Sequence, residues 1–444
     1  MNTAREKKVP RRIAQTIMNS LKGGVVPRTG LPYIAVGRKN EIEALLHDVS
    51  IIAEGGASFR FIVGRYGSGK SFLLQTIRNH VMDRGFLVVD CDLSPERRLQ
   101  GTRGQGLATY RELISNLATK TKPEGGALSL VLDRWINGLQ TQTMQESGLQ
   151  ALDPSLGPLV EKKIYGVTAT LSDLVHGFEF AKILSAYYRA YIEDNEALRS
   201  NVLRWFRGEY TQKREAREDL GTSIIITDDD WYDYLKIFAT FFRLAGYAGL
   251  LMMIDELVNI FKIPNTITRQ NNYEKMLTMY NDTLQGKAHY LGIIMGATPQ
   301  SLEDTRRGIF SYEALRSRLA EGVFARQGAR NVLAPVIRLQ PLTAEEMFVL
   351  CEKLALMHAD LYDYALTLSP NDMTTFIQVE YGRIGASENI TPREVIRDFI
   401  TILDLLSQNP SLTLPSILQS ESFHYAKSEA VSDQADDTYA EFTL

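Results

Sequence analysis

Cysteine is nearly missing from this chain. Its 444 residues include two, Cys91 and Cys351, far apart and without a partner at metal-ligand spacing. That excludes a disulfide framework and a cysteine zinc site, and it suits a reducing compartment. Histidine is scarce as well. The six (His47, His80, His176, His289, His358, His424) are scattered, which argues against a metal centre built from side chains alone. Long apolar runs are lacking. One of the longest, Ala248 to Ile254, is seven residues, against the roughly 20 that a membrane-spanning helix needs. The N-terminal MNTAREKKVPRR is polar and basic with no apolar stretch behind it, unlike a secretory leader. The sequence therefore predicts a cytoplasmic protein with no membrane partner. Nor is there an excess of positive charge: the formal net charge is −4, so any nucleic-acid contact must come from a local patch.

The composition that remains is that of a soluble globular protein, 44% hydrophobic and 23% charged, with length for two or three packed units. Four short runs rich in apolar residues read as strands buried on both faces: Phe59 to Val63, Phe86 to Asp90, Gly249 to Ile254 and Tyr290 to Met295. Val336 to Leu339 is a fifth. Helical stretches separate them, which predicts an α/β domain around a parallel sheet. Residues from about 95 to 223 carry helical periodicity without a convincing strand, too long for one crossover helix. An example is Leu174 to Trp205, with Phe178, Phe180, Ile183, Leu184, Tyr187, Tyr188 and Tyr191. This helical insertion is either a packing cap over the sheet or a platform for a partner or DNA.

Thr343 and Glu346 form a capping-box pattern at a helix start, and helices continue to Leu406. The expected division is a basic N-terminal arm (1–30), a P-loop core with the insertion (31–335), a C-terminal all-helical lid (336–407) and a polar tail (408–444) expected to be disordered.

Gly64-Arg65-Tyr66-Gly67-Ser68-Gly69-Lys70-Ser71 matches G-x-x-x-x-G-K-[ST] in full. The pattern arises by chance in roughly one chain in a hundred of this length, and here a strand precedes it and a helix follows. Its glycines permit conformations that a Cβ blocks. Backbone N–H groups and the helix N-terminus then surround phosphates with positive potential. The implied ligand is ATP with Mg²⁺. Lys70 is expected at the β- and γ-phosphates and Ser71 on Mg²⁺, with Phe72 directly behind them.

Leu250 to Ile254 runs into Asp255-Glu256. Beside a phosphate loop, a strand-end Asp holds Mg²⁺ through water, and a Glu after it activates the attacking water. The same pair also suits the start of a helix. Thr298, after the fourth strand, is a candidate sensor of the γ-phosphate or lytic water, or else a turn residue before Pro299.

The order Val36-Gly37-Arg38-x-x-Glu41, phosphate loop, Asp255-Glu256, Thr298 and helical lid resembles the AAA+ superfamily. It is nearest the branch of archaeal and eukaryotic origin-binding initiators and STAND ATPases. That resemblance implies adenine-side contacts at Gly37 and Arg38, and a second sensor at Arg393 in Thr391-Pro392-Arg393-Glu394. It also implies a homo-oligomer completed in trans by an arginine, here Arg316 or Arg318, with Arg306 and Arg307 as alternatives. Surface ion pairing is the competing role for all four.

The blocks Gly24 to Pro27, Met253 to Leu257, Gly296 to Pro299 and Tyr312 to Leu319 extend the likeness. They are similar to the ATP-binding proteins of BREX phage-defence systems, especially the shorter BrxD type. This implies an ATPase working on DNA with other defence-system proteins, a helicase being one candidate. Origin-type initiators carry a winged helix after the lid, and here 38 residues follow Leu406. Candidate DNA contacts are Arg5, Lys7, Lys8, Arg11 and Arg12; Arg97, Arg98 and Arg103; and Arg204, Arg207, Lys213, Arg214 and Arg217. A slow STAND-type nucleotide-gated signalling or scaffold protein is the alternative.

Overall fold

The computed structural model describes residues 8–171, 174–320, 331–382 and 391–418. All five expected strands form: β1 (Ala57–Val63), β2 (Leu87–Asp92), β3 (Leu250–Asp255), β4 (Leu291–Ala297) and β5 (Val336–Arg338). They make one sheet in the order β2-β3-β4-β1-β5, with every pairing parallel. The central runs of β3 and β4 are continuous rather than alternating because both faces are covered, and β4 is buried along its whole length. The carboxyl ends of β1, β3 and β4 carry the three sequence features expected to do chemistry.

The chain divides into two compact units. One comprises Asn40–Val63 and Ile77–Arg338, and so holds the sheet and the insertion. Arg60 on β1 anchors it locally. The guanidinium is buried, pairs with both oxygens of Asp48, and donates to the carbonyls of Leu333 and Ala334 ahead of β5. Such a charge is tolerable in a core because its donors find acceptors.

Among the described residues between β2 and the helix Trp231–Leu244 lie six α-helices, from Gln105–Ser115 to Lys213–Leu220, as expected for the insertion. Their aromatics, among them Trp135, Phe180, Tyr187, Trp205 and Phe206, belong to the same apolar core as the sheet strands. The packing role is therefore realised. The run Leu174 to Trp205 is two helices, Gly177–Ile192 and Glu196–Phe206. Asp194 takes a left-handed φ of 51°, and Asn195 caps the second helix by accepting from Leu198 N, so local side-chain chemistry ends one helix and starts the next. Phe178 and Tyr191, expected on the apolar face, are exposed.

The other unit comprises Met1–Lys39, Gly64–Thr76 and Leu339–Leu444. Its helices Ala344–Tyr362, Pro370–Gly382 and Pro392–Gln408 enclose a second core around Leu354, Phe376, Phe399 and Leu403. Thr343 and Glu346 form the capping box read from the sequence.

Two expectations are corrected. Residues 11–22 are not an arm but a helix, Arg11–Lys22, whose Ala14, Ile17 and Met18 are buried in this core. Lys22 pairs with Asp404 at 2.7 Å. The expected tail also begins ordered: Leu414–Leu418 is helical, with Leu414 and Ile417 in the same core. Residues 419–444 lie outside the described residues, as do Arg5 and Lys7. Among the described residues, no helix is long and apolar enough to cross a membrane.

Candidate functional site

The phosphate loop leaves β1 at Val63 and enters the helix Lys70–Asp83. Gly67 and Gly69 have φ of 72° and 94°, left-handed values that turn successive backbone groups the same way. Gly64 is needed for another reason: a Cβ there would collide with Ser68 Oγ. Lys70 is buried, its Nζ donating to Gly64 O at 2.8 Å and Arg65 O at 3.1 Å, and lying 5.3 Å over the Tyr66 ring. Ser71 opens the helix behind it, and Phe72 packs against the helical core. Among the described residues, Ser68 Oγ is a buried hydroxyl without a hydrogen-bond partner. An orphaned donor inside a glycine cradle at a helix N-terminus fits a bound phosphate group.

Two residues distant in sequence meet this loop. Arg38, itself at φ 63°, donates to Ser68 O at 2.9 Å and Gln340 O at 2.7 Å. Its guanidinium braces the loop from its carbonyl side. Thr391 caps the helix Pro392–Gln408 and sits against Gly67, where an added Cβ would lie 2.6 Å from Thr391 Oγ1 and 3.2 Å from Arg393 Cβ. The structure thus brings Gly37, Arg38, the loop and Arg393 into one unit. The Arg393 side chain passes Gly24, whose added Cβ would lie 3.7 Å from Arg393 Cδ.

The acidic strand end is built differently. Asp255 closes β3, and its Oδ1 accepts from Glu256 N at 2.8 Å. Glu256 has φ 60°, a conformation that non-glycine residues adopt at a cost. Gly296 on the neighbouring strand makes room, since a Cβ there would collide with the Asp255 carboxylate. Sequence reading missed Asp92. It pairs in register with Asp255 across β2 and β3. Desolvation pushes its carboxyl up to about 6, with Asp255, Glu256 and Asp90 adding to the rise and Arg97 opposing it. The available signal was a second strand ending in alternating aspartates. Among the described residues, no group of three or more His, Cys, Asp or Glu is placed to hold a metal alone.

A family model described as "BREX system ATP-binding protein BrxC/D" matches residues 9–422. The chain belongs to that family. The BrxC/D match takes in the phosphate loop, the acidic strand end and the C-terminal helices together. A comparison with curated proteins found no match. A similar solved structure is "Structure of the Aeropyrum Pernix ORC2 protein (ADPNP-ADP complexes)". It is 13% identical with a TM-score of 0.36, over 85% of this chain and 66% of that one. The BrxC/D chain thus spans just under two thirds of that structure, and so loose a likeness carries no argument.

The remaining candidates of this BrxC/D chain fall in ordinary surroundings. Thr298 caps the short helix Pro299–Glu303, its Oγ1 accepting from Ser301 N at 3.1 Å. The turn role is thus present. Arg316 and Arg318 stand exposed on the helix Glu313–Leu319, with Arg318 donating to Ala314 O within its own helix. Arg306 and Arg307 are exposed too, the latter 5.5 Å over Phe261. Several basic DNA candidates are paired within the chain: Lys8 with Asp360, Arg97 with Glu112, Arg204 with Glu215 and Asp219, and Arg214 with Glu218.

Proposed function

We propose that this BrxC/D-family chain is a Mg²⁺-dependent, AAA+-like ATPase that assembles as an oligomer and acts on DNA or a DNA-bound partner in bacterial phage defence. The observation that carries the nucleotide reading is the orphaned Ser68 hydroxyl inside the left-handed glycine loop, beside the buried Lys70. In this reading Lys70 leaves the loop carbonyls to follow the γ-phosphate, while Arg38 keeps the loop's shape. Ser71 and Asp255 are the residues that would hold Mg²⁺, which would offset charge on the phosphate oxygens. Glu256 orients the water and takes its proton, and Arg393 couples nucleotide state to the C-terminal helices. Other defence-system proteins are the partners, with a helicase as one candidate among them, and the compartment is cytoplasmic.

An ATPase assay with and without DNA, across protein concentration, tests this. DNA-stimulated, concentration-dependent turnover is expected. Glu256→Gln should keep ATP binding and lose turnover by about 10²–10⁴-fold, the contribution of a general base. Turnover within a few-fold of the parent would remove Glu256 from that role.

A second reading has its own support. The seat of Thr391 and Arg393 against Gly67 suits a nucleotide-gated switch that turns over slowly. Tight nucleotide retention without DNA stimulation would favour it.

A further inference from the structure

Away from the phosphate loop, three arginines from separate stretches of the chain meet at one cleft. Arg97 follows β2, Arg111 lies on the helix Gln105–Ser115, and Arg207 follows the helix Glu196–Phe206. The cleft has a volume of about 480 Å³. We propose that it binds a phosphate group, as a second anion site of this protein. The proposal does not rest on the ATPase reading.

The walls of the cleft are fixed. Tyr110 Oη donates to Phe206 O at 2.6 Å, and Arg111 Nε donates to Gly208 O at 2.8 Å. Together they tie residues 206–208 to the helix that bears Arg111. Gly208, with φ 67°, permits the approach: a Cβ there would lie 2.9 Å from Leu107 Cδ1. On the other rim Gly126 N donates to Ser115 O at 2.8 Å. Arginines held on such walls are positioned before a ligand arrives.

Donors exceed acceptors there. Among the described residues, Arg97 Nε and Arg111 Nη2 are buried without a hydrogen-bond partner. These guanidinium groups therefore carry more donors than the chain supplies acceptors for, and their charge stays available to an anion in the cleft that their residues line. The helix Leu128–Ser147 begins at the same rim, with no acidic residue in its first turn and no side-chain cap. Its positive end adds to the field.

Two carboxylates oppose this, and neither neutralises the cleft. Glu112 lies 3.2 Å from Arg97 and Glu209 lies 4.0 Å from Arg207, in pairs whose side chains are 33%/38% and 40%/40% exposed. Pairs so solvated are weak, and an incoming anion can compete with them. Three arginines against two glutamates leave one net positive charge among the lining residues.

Guanidinium forks match the oxygens of phosphate, and a volume in this range takes a nucleotide-sized unit. The phosphate can come from a small phosphorylated molecule or from the backbone of a nucleic-acid strand.

The test uses the full chain carrying Lys70→Ala, which takes the phosphate loop out of the measurement. Inorganic pyrophosphate is titrated by calorimetry and a labelled short oligothymidylate by fluorescence anisotropy. Each probe is run with Arg111→Gln and Arg207→Gln added, and thermal melts check folding. At least one probe should bind, more weakly at high salt, and each substitution should weaken it about tenfold. Binding of oligothymidylate alone assigns the cleft to a strand, and binding of pyrophosphate alone assigns it to a small ligand. Residual binding at the phosphate loop would survive both substitutions. Failure of both probes, or equal binding by the folded variants, overturns the proposal. If Arg111→Gln unfolds because its bond to Gly208 O is lost, Arg207→Gln decides.

Discussion

The phosphate loop and the acidic end of β3 handle charge in opposite ways. In the loop the backbone does most of the work. Gly67 and Gly69 hold left-handed conformations, and two cations at the turn, Lys70 and Arg38, rest on loop carbonyls. At the strand end, side chains do it. Asp92 and Asp255 face each other across adjacent strands, Glu256 follows in a strained conformation, and like charge is crowded. In the function proposed above, the first region takes an incoming anion and the second an incoming cation. The lesson is that backbone geometry demands particular residues at fixed spacing, whereas crowded charge depends on which strands become neighbours.

Removing the loop's mobile cation should give the largest effect. Lys70→Ala is expected to abolish ATP binding in calorimetry while the fold melts normally, because it removes the buried cation at the helix start and leaves the backbone dipoles without it. Unchanged affinity would mean the loop is a turn and nothing more. Arg316 and Arg318 come next. If either completes a neighbour's site, its alanine variant should bind ATP and lose roughly 10³-fold in turnover. Mixing it with the Lys70→Ala protein should then restore activity. No rescue, with turnover independent of concentration, would leave both arginines as the exposed helix charges the structure displays.

This contrast explains what was legible. The five strands were readable because each carries a short run rich in apolar residues, interrupted in β1 by Arg60, and the loop because only glycine and lysine serve at its spacing. Asp92 was not, since its closeness to Asp255 follows from β2 lying beside β3. Nor was the contact of Thr391 with Gly67, or the brace from Arg38 to Ser68 O, which chain separation hides from any local pattern. The N-terminal helix was legible and missed. Ile13, Ile17 and Leu21 recur at helical spacing, but the basic residues ahead of them dominated the reading.

A smaller effect separates backbone strain from packing within the loop. Gly67→Ala must adopt a positive φ and also press on Thr391. Gly85, with φ 81° and open space around it, carries the strain alone. Gly85→Ala should cost about 1 kcal/mol, and Gly67→Ala about 2–4 kcal/mol with overpacking added, read from denaturant midpoints. Equal costs would show that the seat of Thr391 on the loop is soft.

The smallest effect tests the crowded carboxylates. The Asp92 carboxyl stands at about 6 against its ordinary 3.8, raised first by desolvation and then by Asp255, Glu256 and Asp90. Between those two values the folded protein keeps a proton that the unfolded chain has released. Stability therefore falls as pH rises through this window and stays lower above it. Asp92→Asn removes the charge and keeps the shape. It should stabilise the protein by roughly 1 kcal/mol near neutral pH, after allowing for solvent screening, and by nothing near pH 4, where the parent is already neutral. Urea midpoints at the two pH values provide the measurement. A variant destabilised equally at both would show Asp92 to be a structural hydrogen-bonding group, and the crowding at the end of β3 would then rest on Asp255 and Glu256 alone.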